Sequence, residues 1–195
     1  MKKPALLLAA VAVLVGAAAY FTTRPKDAFA SDRAFIEEMI PHHEEAVSSS
    51  REVLAVAKDA DVRKIAGAIV GAQDKEIATM KGWYSEWFGK PYAPTGVYRS
   101  MMKPISGLSV SEAEKTYVTG MIAHHEHAVA MAEDIRKTTS RAELKNLAND
   151  VVRTQTAEIE ELRAARPTRW ITPRTGCRHS GERGTLGGES PLKKA

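Results

Sequence analysis

Apolar side chains recur every three or four residues along four stretches of the chain, which is the spacing of helices that bury one face. The first two stretches cover about residues 32–57 and 62–88, and the other two open near Ser111 and Ser140. No stretch shows the strict alternation of apolar and polar residues that is typical of a half-buried strand. The pattern therefore predicts an all-α protein, a bundle of four amphipathic helices.

Polar residues of the kind that cap helices indicate where the predicted helices begin. Asp32 stands at the start of the first helical stretch and can cap its first turn. Ser111 with Glu114, and Ser140 with Glu143, have the spacing of capping boxes. These signals predict the first residues of three of the four helices.

The third and fourth helices repeat the first two without a gap. Residues 39–43, Met-Ile-Pro-His-His, return 82 residues later as residues 121–125, Met-Ile-Ala-His-His, and Glu76 returns as Glu158. An ungapped internal duplication predicts two matching helical hairpins. The predicted boundaries are about 32–88 for the first repeat, 89–110 for the linker and 111–170 for the second repeat.

Positive charge is concentrated at the two ends of the chain. The 195 residues carry a formal charge of +4, but residues 1–30 and 171–195 carry +3 each, which leaves −2 for residues 31–170. A bundle without excess positive charge offers no surface for a phosphate backbone, so nucleic acid is not predicted as a partner. Cys177 is the only cysteine, so no disulfide within the chain is predicted.

The N-terminal end has the composition of an export signal. Two lysines precede an uncharged apolar run within residues 4–21, and residues 28–30, Ala-Phe-Ala, have the small-x-small form of a cleavage site. Residues 1–30 are therefore predicted to be a signal peptide or an N-terminal membrane anchor, and either one places the repeats outside the cytoplasm. Residues 171–195 lack periodicity and are predicted to be a disordered tail.

Each repeat places one histidine and one glutamate on the apolar stripes of its helices. These are His43 and Glu76 in the first repeat, and His125 and Glu158 in the second. Imidazoles and carboxylates on facing helices are how helical bundles hold metal ions. The alternative is a buried histidine–glutamate hydrogen bond that only fixes the register of the helices. The duplicated histidine pair favours the metal interpretation.

The second repeat adds soft ligands at the edge of the apolar stripe of the third helix. His124, His127 and Met131 are spaced i, i+3 and i+7 and therefore lie along one edge of that helix. Imidazole and thioether together suit copper, and Cu(I) in particular. The matching edge of the first repeat has His42, Glu45 and Ser49, a poorer set for Cu(I). The second repeat is therefore expected to be the tighter Cu(I) site.

The histidine motif and its surroundings resemble a family of secreted bacterial proteins. Residues 32–46 contain Asp-x-x-Phe-Ile-x-x-Met-Ile-Pro-His-His-x-x-Ala, and residues 73–80 contain Gln-x-x-Glu-Ile-x-x-Met. Both segments are similar to the family known as domain of unknown function 305. The resemblance implies a ferritin-like four-helix bundle outside the cytoplasm. It also implies copper chemistry, since the CopM-like members bind copper and help cells resist it, whereas much of the family has no assigned role.

The sequence thus favours an exported metal-binding protein that buffers or carries copper, as Cu(I) or Cu(II), and it identifies no protein partner. One alternative is a ferritin-like metal-dependent oxidoreductase, which normally needs four carboxylates and two Glu-x-x-His motifs that this chain lacks. The other is a structural or partner-binding bundle without metal. The candidate metal ligands are His42, His43, Glu76, His124, His125, His127, Met131 and Glu158.

Overall fold

The computed structural model describes residues 31–96 and 98–165, and four helices account for most of that part of the chain. The helices are α1 (Asp32–Val56), α2 (Ala60–Phe88), α3 (Val110–Thr138) and α4 (Ala142–Ala164). No strand is present in the described ranges, so the predicted all-α bundle is confirmed. The predicted export segment 1–30 and tail 171–195 lie outside the described residues.

The helices form two hairpins that meet along one interface. Short turns join α1 to α2 and α3 to α4, and each helix packs most extensively against its hairpin partner. The hairpins meet mainly through α1 and α3, whereas α2 and α4 contact each other little. Within the described residues, no helix is both long enough and apolar enough to cross a bilayer.

The cap of α3 lies two residues before the predicted one. Ser109 forms the capping box with Glu112, because the serine-x-x-glutamate pattern occurs in two overlapping frames. Glu114, the glutamate of the other frame, is buried instead. Its Oε1 accepts the backbone N–H groups of Lys58 and Asp59, at 2.8 and 2.9 Å, in the turn between α1 and α2. Glu114, which the sequence predicts as part of the α3 cap, therefore stabilises the turn between α1 and α2.

Two other predicted caps are also wrong. Ser31, not Asp32, caps α1, and its Oγ accepts the N–H of Ala34 at 3.2 Å. Arg141 precedes α4 without a side-chain cap, so the predicted box at Ser140 does not form. The guanidinium of Arg141 pairs with Asp32 at 3.1 Å and lies 4.1 Å from the centre of a Trp87 ring. Contacts with the first hairpin thus hold the residue at which α4 starts.

The interior is apolar except for a small set of buried polar side chains. In the described residues this set has nine members, and five of them are histidines. They are His42, His43, Ser50, Gln73, Glu114, His124, His125, His127 and Gln155. Burying a polar group costs free energy unless it is hydrogen-bonded, so this concentration of imidazoles requires an explanation beyond packing.

Candidate metal centre

Three imidazoles from the two hairpins meet at the interface of α1 and α3. The ring of His42 on α1 lies 3.7 Å from that of His124 and 5.2 Å from that of His127, measured between ring centres. His42 and His124 are 0% exposed and His127 is 5% exposed. The sequence placed these residues at the edges of their helices. The structure buries them because α1 and α3 each contact two other helices rather than one.

Burial keeps His42 and His124 neutral at physiological pH. The pKa of His42 lies well below its ordinary range, chiefly because burial disfavours the charged ring and secondly because other histidines surround it. Burial lowers the pKa of His124 to about 4, although Glu45 acts in the opposite direction. Neither ring nitrogen of His42 has a hydrogen-bond partner among the described residues. A neutral buried imidazole with free lone pairs is the form that binds metal ions.

Glu45 is the carboxylate of this cluster, and its position in the sequence indicated only a poor ligand for Cu(I). Its side chain is 12% exposed, and its Oε2 lies 3.3 Å from Nε2 of His124. Partial burial by itself would raise the pKa of Glu45. Hydrogen bonds from His124, Ser100, Tyr98 and the Met101 amide outweigh that effect, and the pKa lies well below its usual range. Glu45 is therefore a stable anion beside the imidazoles.

Residues 98–102 of the linker, here called the strap, are attached to Glu45. The Tyr98 and Ser100 hydroxyls donate to its carboxylate, as do the backbone N–H groups of Met101 at 3.0 Å and Met102 at 3.1 Å. The strap therefore crosses the bundle next to the imidazole cluster instead of extending into solvent.

The histidine–glutamate pairs predicted from the repeats are present, one in each hairpin. His43 Nε2 and Glu76 Oε2 share a hydrogen bond of 2.7 Å, and His125 Nε2 and Glu158 Oε2 share one of 2.9 Å. Both pairs are separated by 33 residues, as the duplication requires. The ring of each paired histidine lies 6.2 Å from that of its neighbour in sequence, His42 or His124 respectively. The two pairs thus flank the cluster and do not meet each other within it.

Met131 lies in the core of the bundle, whereas the sequence predicted it at the edge of the apolar stripe of its helix. Its side chain is 0% exposed and belongs to the apolar cluster that includes Val47, Ala128 and Ile135. It lies one helical turn beyond His127 on the same side of α3. Met131 therefore contributes to the core of the bundle whatever else it does.

The imidazoles are close together without forming a finished coordination shell. In the part of the chain that the structure describes, no three histidine, cysteine, aspartate or glutamate side chains already have the arrangement of metal ligands. The rings of His42 and His124 are tilted by 33° relative to each other.

The chain matches one protein family and several solved helical structures. The sequence model of DUF305, a domain of unknown function, matches residues 32–166. CopM in its Cu(I)-bound form has 30% identity and a TM-score of 0.64, with 73% of this chain and 99% of that chain covered. CopM in its Cu(II)-bound form has 31% identity and a TM-score of 0.62, with 68% and 93% covered.

A further similar structure is a DUF305 protein from Streptomyces coelicolor that is thought to be secreted. It has 27% identity and a TM-score of 0.61, with 68% of this chain and 90% of that chain covered. No curated protein matches the chain. The family model covers most of the chain and all four helices, so this protein belongs to the DUF305 family.

Proposed function

We propose that this protein binds copper ions outside the cytoplasm, at one site shared by its two hairpins, and serves as a copper buffer or carrier. The observation that carries the proposal is the cluster of His42, His124 and His127, three buried imidazoles drawn from both repeats. The similarity to CopM, whose structures include Cu(I)-bound and Cu(II)-bound forms, supports copper as the ion.

The donor set fits copper better than it fits the hard cations. Neutral imidazoles suit copper, zinc and nickel, whereas magnesium and calcium require oxygen-rich sites. His42 is the clearest candidate ligand, because both of its ring nitrogens are buried without a hydrogen-bond partner in the described residues. Met131, one turn beyond His127, is the thioether ligand that the sequence predicts, and a thioether would favour Cu(I). Copper is the cargo of such a site and takes part in no reaction there.

The two histidine–glutamate pairs have a supporting role in this proposal. Glu76 and Glu158 each hydrogen-bond to the Nε2 atom of a histidine, whereas Nδ1 of His43 and of His125 is buried without a hydrogen-bond partner in the described residues. A carboxylate on one ring nitrogen orients an imidazole that binds a metal through the other nitrogen. Each pair fixes the register of its own hairpin and with it the position of the neighbouring histidine. Glu76 and Glu158 thus support the site from outside it, and His43 and His125 each keep Nδ1 as a donor atom for copper.

The proposed location outside the cytoplasm has two supports. Residues 1–30 have the composition of an export signal or membrane anchor. A similar DUF305 protein from Streptomyces coelicolor is thought to be secreted.

The shared site is tested by copper stoichiometry and by two histidine variants. The full-length protein should bind one Cu(I) per chain at the tight site, measured by competition with a chromogenic Cu(I) chelator. His42→Asn and His124→Asn, which lie in different repeats, should each weaken binding at least about tenfold, the effect expected for the loss of one ligand. Ser50→Ala removes a buried polar group from the same helix as His42 and is the control.

Two results would contradict the shared site. Unchanged affinity in both histidine variants, with native helix content, would remove the imidazole cluster from copper binding. Two equal tight sites per chain, each lost with one repeat's histidines, would show that the hairpins bind copper separately.

A further inference from the structure

We propose that the strap, residues 98–102, is a gate over the imidazole cluster and that Glu45 is its latch. The inference rests on the proposed function, because the gate controls how fast copper reaches the shared site. It concerns the rates of copper binding and release, whereas the imidazoles set the affinity.

The position of the strap relative to the two helices that carry the imidazoles supports a gate. At one end, the Tyr98 ring stands edge-on to His42 of α1, with 6.1 Å between ring centres. At the other end, the Met102 side chain packs against α3 at Gly120, so closely that a Cβ added there would lie 3.1 Å from its Sδ. Gly120 precedes His124 by one helical turn. The strap therefore spans the α1–α3 seam where the cluster is buried.

The exposure of the side chains decreases from the strap, through Glu45, to the imidazoles. Met101 and Met102 are half-buried, the Glu45 carboxylate beneath them is 12% exposed, and the imidazoles of His42 and His124 have no exposure. An ion that approaches the cluster from this side must displace the strap. Gly96 and Gly107 flank the strap with φ of 73° and 78°, a left-handed conformation that favours glycine.

The hydrogen bonds of Glu45 identify it as a latch rather than as a ready ligand. Its Oε1 accepts from the Ser100 hydroxyl and the amides of Met101 and Met102, and its Oε2 accepts from the Tyr98 hydroxyl and Met101. Both oxygens are thus engaged by the strap. Opening the strap requires these bonds to break, and each hydrogen bond to a carboxylate shifts an equilibrium about tenfold or more.

The experiment weakens the latch and leaves both Glu45 and the imidazoles in place. Tyr98→Phe combined with Ser100→Ala removes the two hydroxyl donors but keeps the aromatic ring against His42. The matched control is Tyr84→Phe combined with Ser85→Ala. Tyr84 donates to Glu37 of α1 at 2.6 Å and Ser85 donates to the carbonyl of Lys81, so the control loses the same two chemical groups away from the strap.

Copper transfer from a chromogenic Cu(I) chelator to the full-length protein gives the rates, and a reverse transfer gives release. In the strap variant we expect both rates to rise about tenfold or more, with the dissociation constant unchanged within about twofold. The control should keep the rates of the unmodified protein. Hydrogen exchange of the Met101 and Met102 amides in metal-free protein should be faster in the strap variant alone, which reports the latch without copper.

The outcomes separate the gate from the proposed function. Equal transfer rates in all three proteins, with tight copper binding retained, would overturn the gate and leave the copper site standing. A strap variant that binds copper more weakly at unchanged association rate would also overturn it, since the strap would then be part of the site. Absence of copper transfer to any form would overturn both proposals.

Discussion

The metal-free protein should lose stability on mild acidification because its buried histidines resist protonation. Burial lowers the pKa of His124 from 6.5 to about 4. In the unfolded chain this histidine takes up a proton as the pH falls through about 6.5, while in the folded chain it stays neutral until about pH 4. The unfolded state therefore binds more protons throughout that window. Folding stability is highest above pH 6.5 and falls as the pH decreases.

The size of the effect follows from the shift in pKa. A folded-state pKa of about 4 against an ordinary value of 6.5 corresponds to about 3 kcal/mol when the transition is complete, and about 2 kcal/mol of this should be lost between pH 7.5 and pH 5. His42 is shifted in the same direction and adds to the loss. Glu45 contributes little in this range, because a carboxylate with a lowered pKa remains ionised in both states until the pH falls below about 4.5.

Urea denaturation of chelator-treated protein, followed by far-ultraviolet circular dichroism at pH 7.5, 6 and 5, measures the effect. His124→Gln cannot take up a proton, so this variant should show a shallower pH dependence whatever its stability at pH 7.5. A free energy of unfolding that stays constant or rises towards pH 5 would refute the argument. It would mean that His124 is protonated in the folded protein and forms an ion pair with Glu45 across their 3.3 Å separation.

Two further predictions test the core and the chemistry. Met131→Ala should lower the free energy of unfolding of the metal-free protein by about 2–5 kcal/mol in urea denaturation, because it removes a fully buried side chain. A loss below about 1 kcal/mol would show that Met131 lies on the surface of α3 and not in the core. The copper-loaded protein should consume neither oxygen nor peroxide at a steady rate in an oxygen-electrode assay. Steady consumption that disappears in the double variant Glu76→Ala and Glu158→Ala would favour the oxidoreductase alternative.

The helical architecture could be predicted because local signals agree along the whole bundle. The apolar period gave four helices, and the two histidine–glutamate pairs followed from facing stripes of the same repeat. The exact helix starts could not be predicted where a cap competes with tertiary contacts. Glu114 has the right spacing for a cap but is held by the amides of the α1–α2 turn, which is distant in sequence.

The candidate site was only partly predictable. One apolar stripe identifies one buried face of a helix, whereas α1 and α3 each bury a second face against the other hairpin. The apolar stripes of α1 and α3 indicate the side that faces the hairpin partner. The side that faces the other hairpin carries His42, His124 and Met131, and from the sequence alone it resembles an edge. The strap was beyond prediction for a different reason. Its path depends on hydrogen bonds between Glu45 and residues more than 50 positions away, for which no local pattern exists.

The duplication supports the proposed single site at the interface of α1 and α3 over two separate sites. Glu45 and His127 occupy equivalent positions, 82 residues apart, and each faces the first histidine of the other repeat. Glu45 lies 3.3 Å from His124, and the ring of His127 lies 5.2 Å from that of His42. These reciprocal contacts are what two copies related by an approximate twofold axis produce along that axis. The first repeat has the carboxylate of Glu45 where the second has the imidazole of His127, so the proposed site has one side that binds the strap and one side that supplies a third ring.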